Sequence, residues 1–391
     1  MTKATTQKVA TVQSILTNYH THSSNPHVEH VLQQLKYCRT AQLGYHLYKC
    51  RNNDCMKLKY QYHSCRNRHC PACGSMQKEQ WIDDRRTELL PINYYHIVFT
   101  LPHELNSIIL GNRKLLYKLL FDKAAETLLD FAKSPKHLGA IPGILAVLHT
   151  WGQQLSFHPH LHCVVSGGGI NKTKDGLKWK DGTRNKDDFL FPVKALAIVF
   201  RAKYLQALKN LILTHEIILK PQSGIMNSIS ELYTKDWVVY AKKPFGGPQQ
   251  VIEYLGRYTH KVAITNNRIT EVNTETNTVT FEYKDYSDNN EIKQMQLNVY
   301  EFIRRFEQHI LPKYFTKIRS YGYLSNRNRK ANINAITMYL KLPPHPNNVK
   351  IPWYIRLLEK YKLSYNQCPN CLQPTLVLVA VNFDKEIIKD G

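Results

Sequence analysis

The stretch 149-HTWGQQLSFHPHLHCVVSGGG-169 carries four histidines and ends on three glycines. Side chains alternate faces along a β-strand, so His158, His160 and His162 point the same way. His149 belongs to the preceding strand-like run, GILAVLHTW (143–151), and GQQLSF between the two runs has the length of a hairpin connection. If the strands pair antiparallel, His149 stands opposite His160 or His162 and three imidazoles converge, which outlines a metal site. A lone strand histidine is ordinarily a hydrogen-bonded ring. Two on one strand, with a third one hairpin upstream, favour metal. Three neutral imidazoles suit zinc, manganese or iron, so ligand type alone leaves the metal open. Gly167, Gly168 and Gly169 let a ligand's backbone approach closely, or serve only as loop flexibility.

Around this hairpin the periodicity predicts further strands at YYHIVFT (94–100) and DWVVYAKK (236–243), and long amphipathic helices over 113–132 and 193–213. Strands and helices mix without a βαβ rhythm. The expectation is an α+β domain, an antiparallel sheet with helices packed on a face. Upstream, PHVEHVLQQLKY (26–37) reads as a helix with Asn25 at the N-cap and Pro26 at its first position. From Cys38 to Cys73 the helical period is lost, and Ser75 is expected to cap a charged linker helix. RITEV and TVTFEY flank a turn in a hairpin set over 268–298.

The chain has 391 residues, with 53 Lys and Arg against 30 Asp and Glu, a formal charge of +23 spread along its length. An excess of that size points to a polyanion, because each phosphate neutralised releases condensed counterion. No membrane-length apolar run appears, and the first residues lack the apolar core of a secretion signal. The expected location is the cytosol, where thiols stay reduced and nine cysteines argue for metal rather than disulfides. No HExxH helix supports a metalloprotease.

Cys70 and Cys73 form a CxxC knuckle and Cys50 and Cys55 a looser pair, which together suit a tetrahedral structural zinc site. Cys38 and Cys65 are then left to join the late knuckle Cys368 and Cys371 at a second zinc site, with Cys163 a buried strand residue beside the metal histidines. His46, His63 or His69 can stand in for any thiol, and the late CxxC reads equally as a bare turn. A real second site ties the C-terminus back to the N-terminal module. Arg51, Lys57, Lys59, Arg66 and Arg68, interleaved with Tyr60 and Tyr62, supply cations for phosphates and rings for bases, as single-stranded or hairpin DNA requires, or else form a solvated basic face.

The segment 247-GPQQVIEYLGRYTHKVAITNNRI-269 opens with Gly and Pro and keeps helical period until Val262. Tyr254 and Tyr258, four apart, share one helix face. Alone, such a pair is usually packing. Beside a histidine-held metal and flanked by Arg257 and Lys261, it reads as a pair of nucleophiles. With a pKa near 10, only about one phenol in a thousand is ionised at neutral pH, so attack on a phosphodiester needs a divalent ion on the phosphate.

HPHLH preceded by His149 and followed by GGG, with YLGRYTHKVAITNNRI downstream, resembles the HUH-type two-tyrosine transposases of the insertion-sequence family numbered ninety-one. CRTAQLGYHLYKC and SCRNRHCPAC resemble the zinc-binding module of that family, and RSYGYLSNRNR (319–329) its C-terminal portion. The resemblance spans roughly residues 30 to 330. It implies rolling-circle transfer of single-stranded DNA through a 5′-phosphotyrosine. His160 and His162 become the paired metal ligands, Tyr254 and Tyr258 the nucleophiles, and magnesium or manganese the catalytic ion. His149 is taken as third ligand, with Gln153, Gln154 and His158 as alternatives. The implied organisation is a helical arm (1–37), a zinc module with linker helix (38–90), an HUH catalytic domain (91–330) and a C-terminal extension (331–391). The rivals are a plasmid replication initiator or relaxase with the same nicking chemistry, and a non-catalytic zinc DNA-binding regulator.

Overall fold

The computed structural model describes residues 10–20, 22–86, 88–174, 176–182, 190–218, 225–242, 250–251, 256, 261–343 and 351–383. The chain forms two compact units: Met1–Lys78 with Val262–Ile310 and Asn348–Gly391, and Glu79–Lys261 with Leu311–Asn347. The expected linear segments do not coincide with these units. The hairpin set near 268–298 and the part of the C-terminal extension from Asn348 on join the cysteine-rich unit, while the extension's first residues, up to Asn347, stay with the second unit, because β-pairing and packing ignore distance along the chain.

In the cysteine-rich unit, helix α1 (Val12–Tyr19) starts on a capping box in which Thr11 and Ser14 satisfy each other's backbone amides. Helix α2 (Pro26–Lys36) starts on Asn25, whose side chain accepts from the amides of His27 and Val28, with Pro26 where its missing N–H costs nothing. Their buried faces carry Val12, Ile15 and Leu16, and Val28, Val31, Leu32 and Leu35. Strands β1 (Tyr45–Cys50) and β2 (Leu58–Tyr62) pair antiparallel. The far edge of β1 takes β12 (Leu376–Asn382), with Cys50 opposite Leu376 and a bulge at Leu47/Tyr48. The hairpin set forms a second three-stranded sheet, Ile269–Asn273, Thr278–Asp285 and Glu291–Asn298, followed by the helix Val299–Gln308. The chain leaves this unit within helix α3 (Ser75–Arg86).

The second unit is built on a six-stranded antiparallel sheet. Its core strands are β3 (Tyr94–Thr100), β4 (Ile141–Trp151) and β5 (Phe157–Thr173), flanked by β7 (Val239–Lys242) beyond β3 and β11 (Ile318–Gly322) beyond β4. Strand β6 (Gly176–Asp181) pairs with the far end of β5. Period two divides the side chains between faces. Ile97 and Phe99, Ile144, Ala146 and Leu148, and Leu161, Cys163 and Val165 share one core with the long helices Arg113–Lys133 and Val193–Leu213. The alternate positions, which include His96, His149, His160 and His162, therefore face away from those helices.

The three glycines serve this sheet. A Cβ at Gly168 would lie 2.2 Å from the Trp179 ring on β6, one at Gly169 2.7 Å from the Ile141 carbonyl, and one at Gly167 2.9 Å from that of Asn93. The space expected for a ligand is filled by neighbouring strand and indole. Among the described residues no helix is long and apolar enough to cross a membrane.

Candidate functional site: a histidine centre and two thiol centres

The register of β4 and β5 sets His149 directly opposite His160. His162, two residues on, joins them, with ring centroids 4.6 Å from His149 and 4.9 Å from His160. One ligand nitrogen from each of the three lies within 4.8 Å of the others. His160 Nε2 and His162 Nε2 are 3.1 Å apart. Two nitrogens each about 2.0–2.1 Å from one cation stand about 2.9 Å apart at a right angle and about 3.3 Å apart in a tetrahedron, so the spacing fits a shared ion.

The rings are set for that role by their partners. His160 Nδ1 donates to the His158 carbonyl at 2.7 Å, since the carbonyl can only accept, and this leaves Nε2 with its lone pair. Burial pushes His160 down to about 4 and His162 well below the ordinary imidazole range, so both stay neutral at neutral pH. The charge of Lys261 acts on both in the same direction. His149 stacks on Trp151 at 4.7 Å, and Lys317 sits over that indole at 5.1 Å while donating to the Lys261 carbonyl.

Sequence reasoning missed His96. It lies on β3, buried to 3% exposure, with its ring stacked on His162 at 5.2 Å and Nε2 within 3.0 Å of His162 Nδ1. A metal-bound imidazole normally passes its other N–H to such an acceptor, which fixes the ring's orientation. Burial holds His96 down to about 3, so it is neutral and able to accept. One histidine in YYHIVFT gives no signal by itself. Only its phase, shared with His160 and His162 once β3 pairs β5, would have marked it.

The structure groups the cysteines differently from the expected pairing. Cys38, Cys65, Cys70 and Cys73 form one cluster and Cys50, Cys55, Cys368 and Cys371 the other, each with its sulfurs within 4.8 Å of one another. Chain proximity favoured joining Cys50 and Cys55 to the Cys70 knuckle. The pairing of β1 with β12 instead carries the late knuckle to the end of β1. Sulfur spacings of 3.5 Å for Cys65 and Cys73, and 3.7 Å for Cys50 with Cys371 and Cys55 with Cys368, far exceed a disulfide bond. They match the roughly 3.8 Å edge of a tetrahedron with metal–sulfur bonds of about 2.3 Å. The backbone amide of Gln373 leads in pushing the Cys371 thiol down to about 6. His46 and His63 bond each other at 2.8 Å, outside both clusters. Cys163 is buried on the opposite side of its sheet from the histidines.

Tyr254, Tyr258 and Arg257 lie outside the described residues. The described residues at the ends of their segment do not. Val251 is fully buried against Tyr94, Leu145 and Val164, alternate positions on the same face as His149 and His162. Lys261 is the residue whose charge acts on His160 and His162. Arg51, Arg66 and Arg68 are exposed. RSYGYLSNRNR serves the framework: Arg329 bonds Glu88, the Leu324 carbonyl and Ser320, and Gly322, at φ 63°, passes tightly against Pro142.

A family described as "Transposase zinc-binding domain" matches residues 10–101, and one described as "Putative transposase" matches 143–332. The chain is 40% identical, over 90% of its length and 88% of the relative's, to "Putative transposase y4qJ" of Sinorhizobium fredii. It is 31% identical to "Transposase for insertion sequence element IS801" of Pseudomonas savastanoi pv. phaseolicola, over 77% of this chain and 70% of that one. A solved structure of TrwC with a 27-mer DNA overlaps 30% of this chain and 44% of its own at 17% identity and a TM-score of 0.22, too little to bear on the fold. Two relatives matched over most of their length, and a zinc-binding domain of the same kind at the N-terminal end, place this chain in the IS91 family of transposases.

Proposed function

We propose that this transposase cuts and rejoins single-stranded DNA by tyrosine chemistry on the histidine face of the second unit. His149, His160 and His162 hold a divalent cation, magnesium or manganese, and Tyr254 and Tyr258 are the nucleophiles. The observation that carries this reading is the convergence of three imidazole nitrogens within 4.8 Å. It is supported by a segment tied to that face through Val251 and acting on it through Lys261. Tyr254 is three residues from Val251 and Tyr258 three from Lys261.

Held by His149, His160 and His162, such a cation would supply Lewis-acid polarisation of the scissile phosphate. Lys261 adds fixed positive charge for the phosphate, and the neutral buried rings keep their lone pairs for the ion. One phenol loses its proton to solvent and its oxygen attacks phosphorus. The bond from tyrosine oxygen to the 5′-phosphate forms as the bond to the 3′-oxygen breaks, and that oxygen takes up a proton. The phosphodiester energy stays in the link, so the break is resealed without ATP. A second tyrosine lets donor and target, or two element ends, be held together. Arg51, Arg66, Arg68, Arg257 and Lys261 contact the DNA backbone, and Cys38, Cys65, Cys70 and Cys73 hold a structural zinc in the recognition unit. The work takes place at the nucleoid in the bacterial cytoplasm.

The test is cleavage of a single-stranded element end with manganese by Tyr254→Phe, Tyr258→Phe and the double variant. Each single variant is expected to lose transposition with DNA binding intact, and the double to lose cleavage. A double variant that cleaves and joins like the parent ends this reading.

A further inference from the structure

We propose that Cys50, Cys55, Cys368 and Cys371 hold a second zinc ion, which fastens the C-terminal strand to the N-terminal sheet and completes the recognition unit from the far end of the chain. The zinc-binding domain match ends at residue 101 and the transposase match at 332, so two of the four ligands lie in sequence that neither covers. Three lines of observation support the assignment independently of the nicking chemistry.

The first is the sulfur geometry. Across 321 residues Cys50 meets Cys371 at 3.7 Å, and across 313 residues Cys55 meets Cys368 at 3.7 Å, the spacing of a closed tetrahedral thiolate site. The second is what surrounds the sulfurs. Asn370 Nδ2, which can only donate, donates to Cys55 Sγ at 3.3 Å, as suits a thiolate, and Thr375 Oγ1 lies 2.9 Å from Cys50 Sγ. The third is backbone strain. Met56 and Leu372, each directly after a cluster cysteine, are left-handed at φ 49° and 61°. The same reversal follows Cys38, Cys65 and Cys73 of the first centre, at Arg39, Arg66 and Gly74. For a non-glycine residue it costs about 1–2 kcal/mol. Met56 is 46% exposed and Leu372 68%, so packing of their own side chains does not hold them there. Backbone hydrogen bonds close both turns, from Met56 N to the Asn52 carbonyl at 2.9 Å and from Leu372 N to the Cys368 carbonyl at 2.8 Å, and the turns leave the four sulfurs within 4.8 Å of one another.

The centre sits at the end of the β1–β12 ladder, where Cys50 pairs with Leu376 and the Arg51 amide donates to the Thr375 carbonyl. Zinc there closes a loop of more than 300 residues, a junction that chain entropy alone opposes. Fragments that end before residue 368 would lack both the ion and the third strand of this sheet.

The test uses the full-length zinc-loaded protein. Native alkylation mapped by mass spectrometry should find Cys368 and Cys371 protected together with Cys50 and Cys55, and all four labelled after chelation. Cys368→Ser with Cys371→Ser should release one zinc per chain and leave the Cys38 centre loaded. Rapid labelling of Cys368 and Cys371 while Cys50 and Cys55 stay protected, or unchanged zinc in the double variant, overturns the proposal. The labelling arm needs no variant to fold, and neither arm depends on DNA cleavage.

Discussion

His96 touches no ion in the proposed site, yet its removal should weaken metal binding. The ring is hydrogen-bonded to His162 Nδ1 at 3.0 Å and stacked on the His162 ring at 5.2 Å. Loss of such an orienting partner typically costs 10–100-fold in metal affinity, equivalent to about 1.4–2.7 kcal/mol. A net hydrogen bond of about 0.5–1.5 kcal/mol and the freed ring orientation of His162 together reach that range. His96→Phe keeps the ring volume and removes the acceptor; His96→Gln restores a polar group of comparable reach. Calorimetric titration of the zinc-loaded protein with manganese should show the full loss for phenylalanine and partial recovery for glutamine. Thermal midpoints should change less than affinity does. If the phenylalanine variant binds manganese within twofold of the parent, His96 does not position His162.

Three other outcomes follow from the same geometry. His96 is held down to about 3 and His160 to about 4, whereas in the unfolded chain both take up protons near the ordinary value of about 6.5. The unfolded state therefore binds more protons below that value. Stability of the cation-free protein is fully present above about pH 6.5 and falls toward pH 4, by about 1.4 kcal/mol per pH unit per ring. Denaturant melts should be shallower in this window for His96→Phe than for the parent, and equal slopes would count against the assignment. Gly168→Ala should lower stability by about 1–3 kcal/mol by driving the Trp179 ring aside. A thermal melt that does not move, with DNA binding lost, would return that glycine to a ligand role. Tyr60 and Tyr62 are 49% and 43% exposed, with rings 6.3 Å apart and 18° from parallel. Replacing either by alanine should cost about 1–3 kcal/mol of single-strand affinity at fixed salt with zinc content unchanged; unaltered anisotropy titrations would remove these rings from the interface.

Much of the second unit was legible because its signals are local. YYHIVFT became β3 with the same limits, and 193–213 became one helix with the same limits, since alternation and helical period are written in neighbouring residues. The hairpin that brings His149 opposite His160 was legible for the same reason. Partners chosen across the fold were not. Cysteine spacing marks knuckles and leaves open which two knuckles share an ion, and that choice waited on β12 pairing with β1. His96 depends on β3 lying beside β5. The glycines looked like room for a ligand because nothing in SGGG announces Trp179 on β6. Strands β6 and β11 and the interleaving of the two units left no local signal.

The most direct measurement is the covalent intermediate itself. The protein with manganese and a single-stranded element end would be quenched, digested and mapped by mass spectrometry. The account predicts a nucleotide mass on the peptide spanning 251–261, carried by Tyr254 or Tyr258 through a phosphodiester. An adduct mapped to another residue, or strand transfer that proceeds with no covalent species, would contradict it.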